Sequence, residues 1–255
     1  MVNRKSAIFV AGAIALAVLI VVVVARMMPG NAPVPARDSG QPAASDSQVL
    51  ASPDPSAARI TFDEAVGAIL ADQRTFGEGG VVLMGDSIVA RSGVYELCGE
   101  PVLLAGIPGS RVRDWIDLGP DMFAQVEPSL VVIALGINDT FAALNTDPDK
   151  WEADYKALAR SARPARLALV SIMPTDASIP RPTQLSEEMR ATLNARLKTI
   201  AAATGALVID PLPSAKGLTL DGVHFNPGGQ ERWAKNLVAT CQAPEQPQAE
   251  QEPAL

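Results

Sequence analysis

Val81-Val82-Leu83-Met84-Gly85-Asp86-Ser87-Ile88 is a short apolar run that ends on a glycine and two polar residues. Such a run reads as a strand covered on both faces, after which Ser87 opens a crossover helix. The shape recurs. Further β-rich runs lie at residues 102–105, 130–135, 167–172 and 206–209, with amphipathic stretches between them. That alternation implies βαβ units and an α/β fold built on a five-stranded parallel sheet. Thr61 and Glu64 have capping-box spacing and predict a preliminary helix from Thr61 to about Arg74. Leu185, Met189, Leu193, Leu197 and Ile200 form one stripe of a helix stopped by Gly205, and Trp151, Tyr155 and Leu158 share the face of another as core residues.

The chain has 255 residues, 48% of them apolar, which suits one domain with appendages. Residues 7–25 carry no charge and are long enough to cross a hydrocarbon core of roughly 30 Å as a helix. Arg4 and Lys5 precede that run and only Arg26 follows it closely, so the positive-inside rule keeps the N-terminus cytoplasmic. The run exceeds the usual apolar core of a cleaved signal peptide and lacks a small-residue cleavage site at its end. The expected organisation is a membrane anchor at 1–28, a Pro/Ala/Ser-rich disordered linker at 29–58, a domain at 59–242 on the periplasmic or extracytoplasmic side, and a disordered acidic tail at 243–255.

A net charge of −7, with no basic cluster, argues against a nucleic-acid partner. Cys98 and Cys241 are too few and too far apart for a zinc motif. In an oxidising compartment they could pair, closing a loop nominally worth about 4–5 kcal/mol; two inert buried thiols are the alternative.

Ser87, Asn138, Asp221 and His224 all fall just beyond expected strand C-termini, the edge where open α/β sheets bind ligands. His224 is the only histidine and hence the only imidazole able to activate Ser87 near neutral pH. Asp221, three residues earlier, is placed to orient His224 through Nδ1, or else to form a turn before Gly222. Donors for a tetrahedral oxyanion are the Ser87 N–H, the Gly109 N–H with Gly106 as its rival, and the Asn138 amide. Asp86 fits a helix cap better than a second acid. Asn138-Asp139-Thr140 matches a glycosylation sequon, read here as coincidence beside a candidate site. Arg111, Arg113, Thr140 and Phe141 follow the oxyanion loops as candidate pocket or packing residues. No residue pattern calls for a cofactor or metal.

Gly85-Asp86-Ser87-Ile88, Ile107-Pro108-Gly109-Ser110, Gly136-Ile137-Asn138-Asp139 and Asp221-Gly222-Val223-His224 resemble, in order, the four blocks of the SGNH (GDSL) hydrolase superfamily over about residues 80–240. The resemblance implies a flavodoxin-like three-layer α/β/α fold and a metal-independent carboxylic ester hydrolase. By position it implies Ser87 as nucleophile, His224 as base then acid, Asp221 as its orienter, and Ser87, Gly109 and Asn138 as oxyanion donors. Ser110 departs from relatives in which Asp or Arg often follows the glycine. The expected activity is removal of small acyl groups, foremost O-acetyl, from an envelope or imported glycan. O-acyl transfer to a sugar and a non-catalytic glycan-binding scaffold are the alternatives.

Overall fold

The structure is a computed structural model that describes residues 61–179, 184–210 and 212–245. The expected anchor at 1–28, the linker at 29–58 and the tail beyond residue 245 lie outside the described residues. Among the described residues no helix is long and apolar enough to cross a membrane. Ala243, expected at the start of the tail, is instead buried, and its N–H donates to the Thr240 carbonyl.

The chain enters through α1 (Phe62–Phe76), whose N-cap Thr61 and Glu64 close the expected capping box. Next come β1 (Val81–Gly85), the single-turn α2 (Ser87–Ala90), β2 (Glu96–Leu97) and β3 (Glu100–Gly106). Then follow α3 (Leu118–Val126), β4 (Leu130–Ala134), α4 (Pro148–Ser161), β5 (Arg166–Val170), α5 (Glu187–Thr204), β6 (Leu207–Ile209) and α6 (Pro227–Leu237). Every residue of β1 is buried, so both of its faces are covered, because successive side chains of a strand point to opposite sides. Trp151, Tyr155 and Leu158 are buried on α4, and Leu193, Leu197 and Ile200 on α5. Leu185 lies outside α5 and bridges to Phe141 instead.

The sheet order is β2-β3-β1-β4-β5-β6. β1 pairs in parallel with β3 on one side and β4 on the other, and β5 and β6 continue in parallel. The five expected strands are thus present in a flavodoxin-like order, and the direction of winding reverses at β1. The expectation of a purely parallel five-stranded sheet is corrected, because a sixth strand, β2, pairs antiparallel with β3 and makes the sheet mixed. The link between them is the two residues Cys98 and Gly99, both at positive φ (58° and 77°), the geometry of a tight hairpin turn. Cysteine seldom takes that place, so the turn carried no compositional signal.

Cys98 is bonded to Cys241, tying this edge hairpin to the last turn of the domain across 143 residues. Nearby, Arg166 donates to the Cys241 carbonyl at 3.1 Å and faces Glu100 on β3. The crosslink closes most of the domain into one loop, which reduces the entropy of the unfolded chain. Replacing both cysteines by serine is expected to lower the unfolding free energy by about 2–5 kcal/mol. Denaturant titration with and without reductant checks this, and a midpoint equal to wild type would refute it.

Candidate active site

Ser87 is presented by a turn that requires two missing side chains. Gly85 and Gly106 are register partners on β1 and β3. A Cβ on Gly106 would lie 2.3 Å from the Ala90 nitrogen, and one on Gly85 would lie 2.3 Å from Val89 Cγ2 and 2.6 Å from the Ala134 carbonyl. The first turn of α2 therefore sits directly against the sheet. Asp86 caps it by accepting from the Ile88 N–H at 2.9 Å, as the sequence predicted. Gly106 is thereby accounted for by close packing. Gly109 is exposed, has φ +81°, and occupies the third position of a turn closed by the Ser110 N–H on the Ile107 carbonyl at 3.1 Å. Pro108 then Gly109 is the residue pair that a type II turn favours.

His224 comes from a hairpin between β6 and α6. The Asn226 N–H bonds to the Leu218 carbonyl, the Leu220 N–H bonds to the His224 carbonyl, and Gly222 at φ 88° forms the tip. Asn226 also caps α6 by accepting from Gly229, whose lack of a side chain admits the Leu218 carbonyl. Asp176, from the segment after β5, pins this hairpin. Its carboxylate accepts from the Gly217 N–H at 2.8 Å and its own N–H donates to the Gly222 carbonyl at 2.9 Å. Bonds from Ser178, then from Gly217, hold the Asp176 carboxyl below its ordinary range. Sequence reading missed Asp176, because a lone aspartate past a strand gives no periodic or spacing signal.

The two segments meet. Ser87 Oγ lies 2.9 Å from His224 Nε2, and His224 Nδ1 lies 2.8 Å from Asp221 Oδ2. The other Asp221 oxygen accepts from the backbone N–H groups of Val223 (3.0 Å) and His224 (2.8 Å). One Asp221 oxygen thus forms the turn and the other meets the imidazole. Burial opposes its charge, but hydrogen bonds from the His224 ring and the His224 and Val223 backbone outweigh that and take its pKa down to about 2.

Asn138, half-buried in the turn after β4, donates its side-chain amide to the Ser110 carbonyl at 3.0 Å. Asp139 beside it is buried and accepts from the Val112 N–H at 3.4 Å. The turn after β3 and the turn after β4 are therefore latched together. Thr140 is buried and donates to the Ile137 carbonyl, while the Phe141 backbone forms an antiparallel bridge with Leu185. Arg111 and Arg113 both face Asp114 and border a cleft of about 170 Å³ with Asn145 and Lys150. Among the described residues no group of three or more His, Cys, Asp or Glu side chains could hold a metal ion.

Comparison with known proteins follows the same outline. The profile of the GDSL-like Lipase/Acylhydrolase family matches residues 83–232, well over half of the chain. No curated protein sequence matches it. Similar solved structures include the lipase/acylhydrolase from Enterococcus faecalis (TM-score 0.55, 21% identity, 64% of this chain and 94% of that one). A GDSL-like lipase from Bacteroides thetaiotaomicron VPI-5482 is similar at TM-score 0.54 and 17% identity, over 69% and 96% of the two chains. The acetyl xylan esterase AlAXEase is similar at TM-score 0.53 and 22% identity, over 62% and 98%. At these identities the structural likeness shows the fold alone.

The two acids behind the turns behave differently from Asp221. Burial pushes Asp86 up to about 7 against the Ile88 hydrogen bond, with Asp139 adding to the rise. Burial likewise pushes Asp139 up to about 6, against the Val112 N–H, the Trp151 indole and Arg111. Between the unfolded value of 3.8 and about 7, the folded Asp86 holds a proton that the unfolded chain has lost, so stability falls as pH rises through that window. Asp86→Asn keeps an oxygen for the cap and removes the titration. Melting temperature against pH should therefore fall less steeply from pH 4 to 7 in this variant, and a slope equal to wild type would show Asp86 to be unperturbed.

Proposed function

The chain belongs to the GDSL-like lipase/acylhydrolase family and is a carboxylic ester hydrolase, and from that premise we propose that it removes small acyl groups, foremost acetyl, from a glycan outside the cytoplasm. The observation that carries the mechanism is the continuous contact from Ser87 Oγ through His224 to Asp221, at 2.9 and 2.8 Å. His224 Nε2 takes the Ser87 proton as Oγ attacks the ester carbonyl carbon. Asp221 holds the imidazole through Nδ1 and stabilises the imidazolium as it forms.

The tetrahedral oxyanion is met by the N–H groups of Ser87 and Gly109 and by the Asn138 amide. A primary amide has two N–H donors; one of Asn138 is on Ser110, and the other serves the oxyanion. Collapse of the intermediate expels the sugar alkoxide, which takes the proton from Nε2 and leaves Ser87 acylated. Water then attacks with His224 again as base, releasing the carboxylic acid and restoring the serine.

The small acyl group and glycan find a precedent in the acetyl xylan esterase of similar fold. An extracytoplasmic location is supported by the uncharged run at residues 7–25 and by the Cys98–Cys241 bond, which suits an oxidising compartment. In this reading the enzyme is held at the outer side of a membrane by its N-terminal segment and acts there on an acylated glycan.

Turnover of p-nitrophenyl acetate by the purified chain tests the chemistry, and acetate release from acetylated oligosaccharides tests the substrate. Asn138→Ala should lose roughly 100- to 1,000-fold in kcat. Ser87→Ala or His224→Ala should lose far more, towards a millionfold. Equal turnover by wild type and Ser87→Ala would remove the assignment.

A further inference from the structure

Ser110 has no part in the proton relay, yet its side chain is almost wholly buried and fully engaged. Its hydroxyl donates to the Gly85 carbonyl at 3.3 Å and accepts from the Trp115 indole N–H at 3.0 Å. Its backbone carbonyl accepts the Asn138 amide at 3.0 Å, and its backbone N–H closes the turn that contains Gly109. The Gly85 carbonyl that receives the hydroxyl also accepts the Ile107 N–H at 3.0 Å, two residues before Ser87. One residue thus touches each of the three segments that carry the proposed oxyanion donors.

From this geometry we infer that Ser110 is a positioning residue for ester hydrolysis: its buried hydroxyl anchors the Gly109 turn to the end of β1 and, through its own carbonyl, sets the direction of the Asn138 amide. The inference rests on the esterase reading above. The physical reason is that oxyanion donors act by being aimed before charge develops, so a donor free to tilt loses effect on the transition state while leaving ground-state binding alone. A serine can do this because its hydroxyl both donates and accepts. Alanine would leave the carbonyl of Gly85 one bond short and Trp115 without its acceptor.

The test is steady-state hydrolysis of p-nitrophenyl acetate by the full chain. Ser110→Ala is expected to lower kcat by about 10- to 100-fold, less than the loss of a whole donor, with KM within about twofold of wild type. In an Asn138→Ala background the same substitution should cost severalfold less than in wild type, because one of the two donors it aims is gone and only the Gly109 turn is left to lose its anchor. A residue that only supports the fold would give multiplying losses in that cycle. Because the orphaned indole could disturb folding, Ser110→Ala/Trp115→Phe removes both partners together. This double variant should show the kcat loss with a thermal transition near that of wild type.

An unchanged kcat in Ser110→Ala, independent losses in the cycle, or full activity in the double variant would each overturn the positioning role, with the esterase reading intact. Absence of wild-type turnover together with no labelling of Ser87 by a fluorophosphonate would remove the esterase reading, and the inference with it.

Discussion

The close approach between the sheet and the turn that follows β1 exists because Gly85 and Gly106 carry no side chains. Any Cβ at either position would overlap α2 by more than an ångström of ordinary contact distance. With both absent, the chain leaves the central strand sharply and Ser87 emerges at the point where the winding of the sheet reverses. β3 and β4 flank β1, so the turns that follow them come up on either side of the serine. The two candidate oxyanion segments reach it from there.

The His224 imidazole arrives by a separate route. Its hairpin depends on loop hydrogen bonds, among them the two-point grip of Asp176, and on the fit of Gly229 beneath the Leu218 carbonyl. The serine is thus held by sheet packing and the histidine by a braced loop, and their 2.9 Å contact is where the two constructions meet.

Carboxylates near the site differ because their surroundings differ. Asp221 is partly exposed and receives hydrogen bonds from the His224 ring and from the Val223 and His224 backbone, which favour its charged form strongly enough to overcome burial. Asp86 and Asp139 are buried, and desolvation outweighs the backbone hydrogen bond that each accepts. Sequence adjacency to Ser87 therefore makes Asp86 a structural cap, while an aspartate over a hundred residues away sits against the imidazole. Environment, not residue type, separates the roles.

Much of this was readable in the chain. The apolar runs marked five of the strands because a strand buried on both faces needs no alternation, and Thr61, Gly205 and Asp221-x-x-His224 act through neighbours a few residues away. Local chemistry of that kind is written in local sequence. What only the tertiary structure decided involves partners distant along the chain: the edge strand β2, turned by an uncharacteristic Cys98; the packing role of Gly106, which left Gly109 as the exposed turn residue; and the bracing by Asp176 and Ser110. A hydrogen bond between residues 25 or 41 positions apart, as in Ser110 to Gly85 and Gly217 to Asp176, leaves no periodicity to read, because it forms only after the sheet has brought its strand ends to one edge.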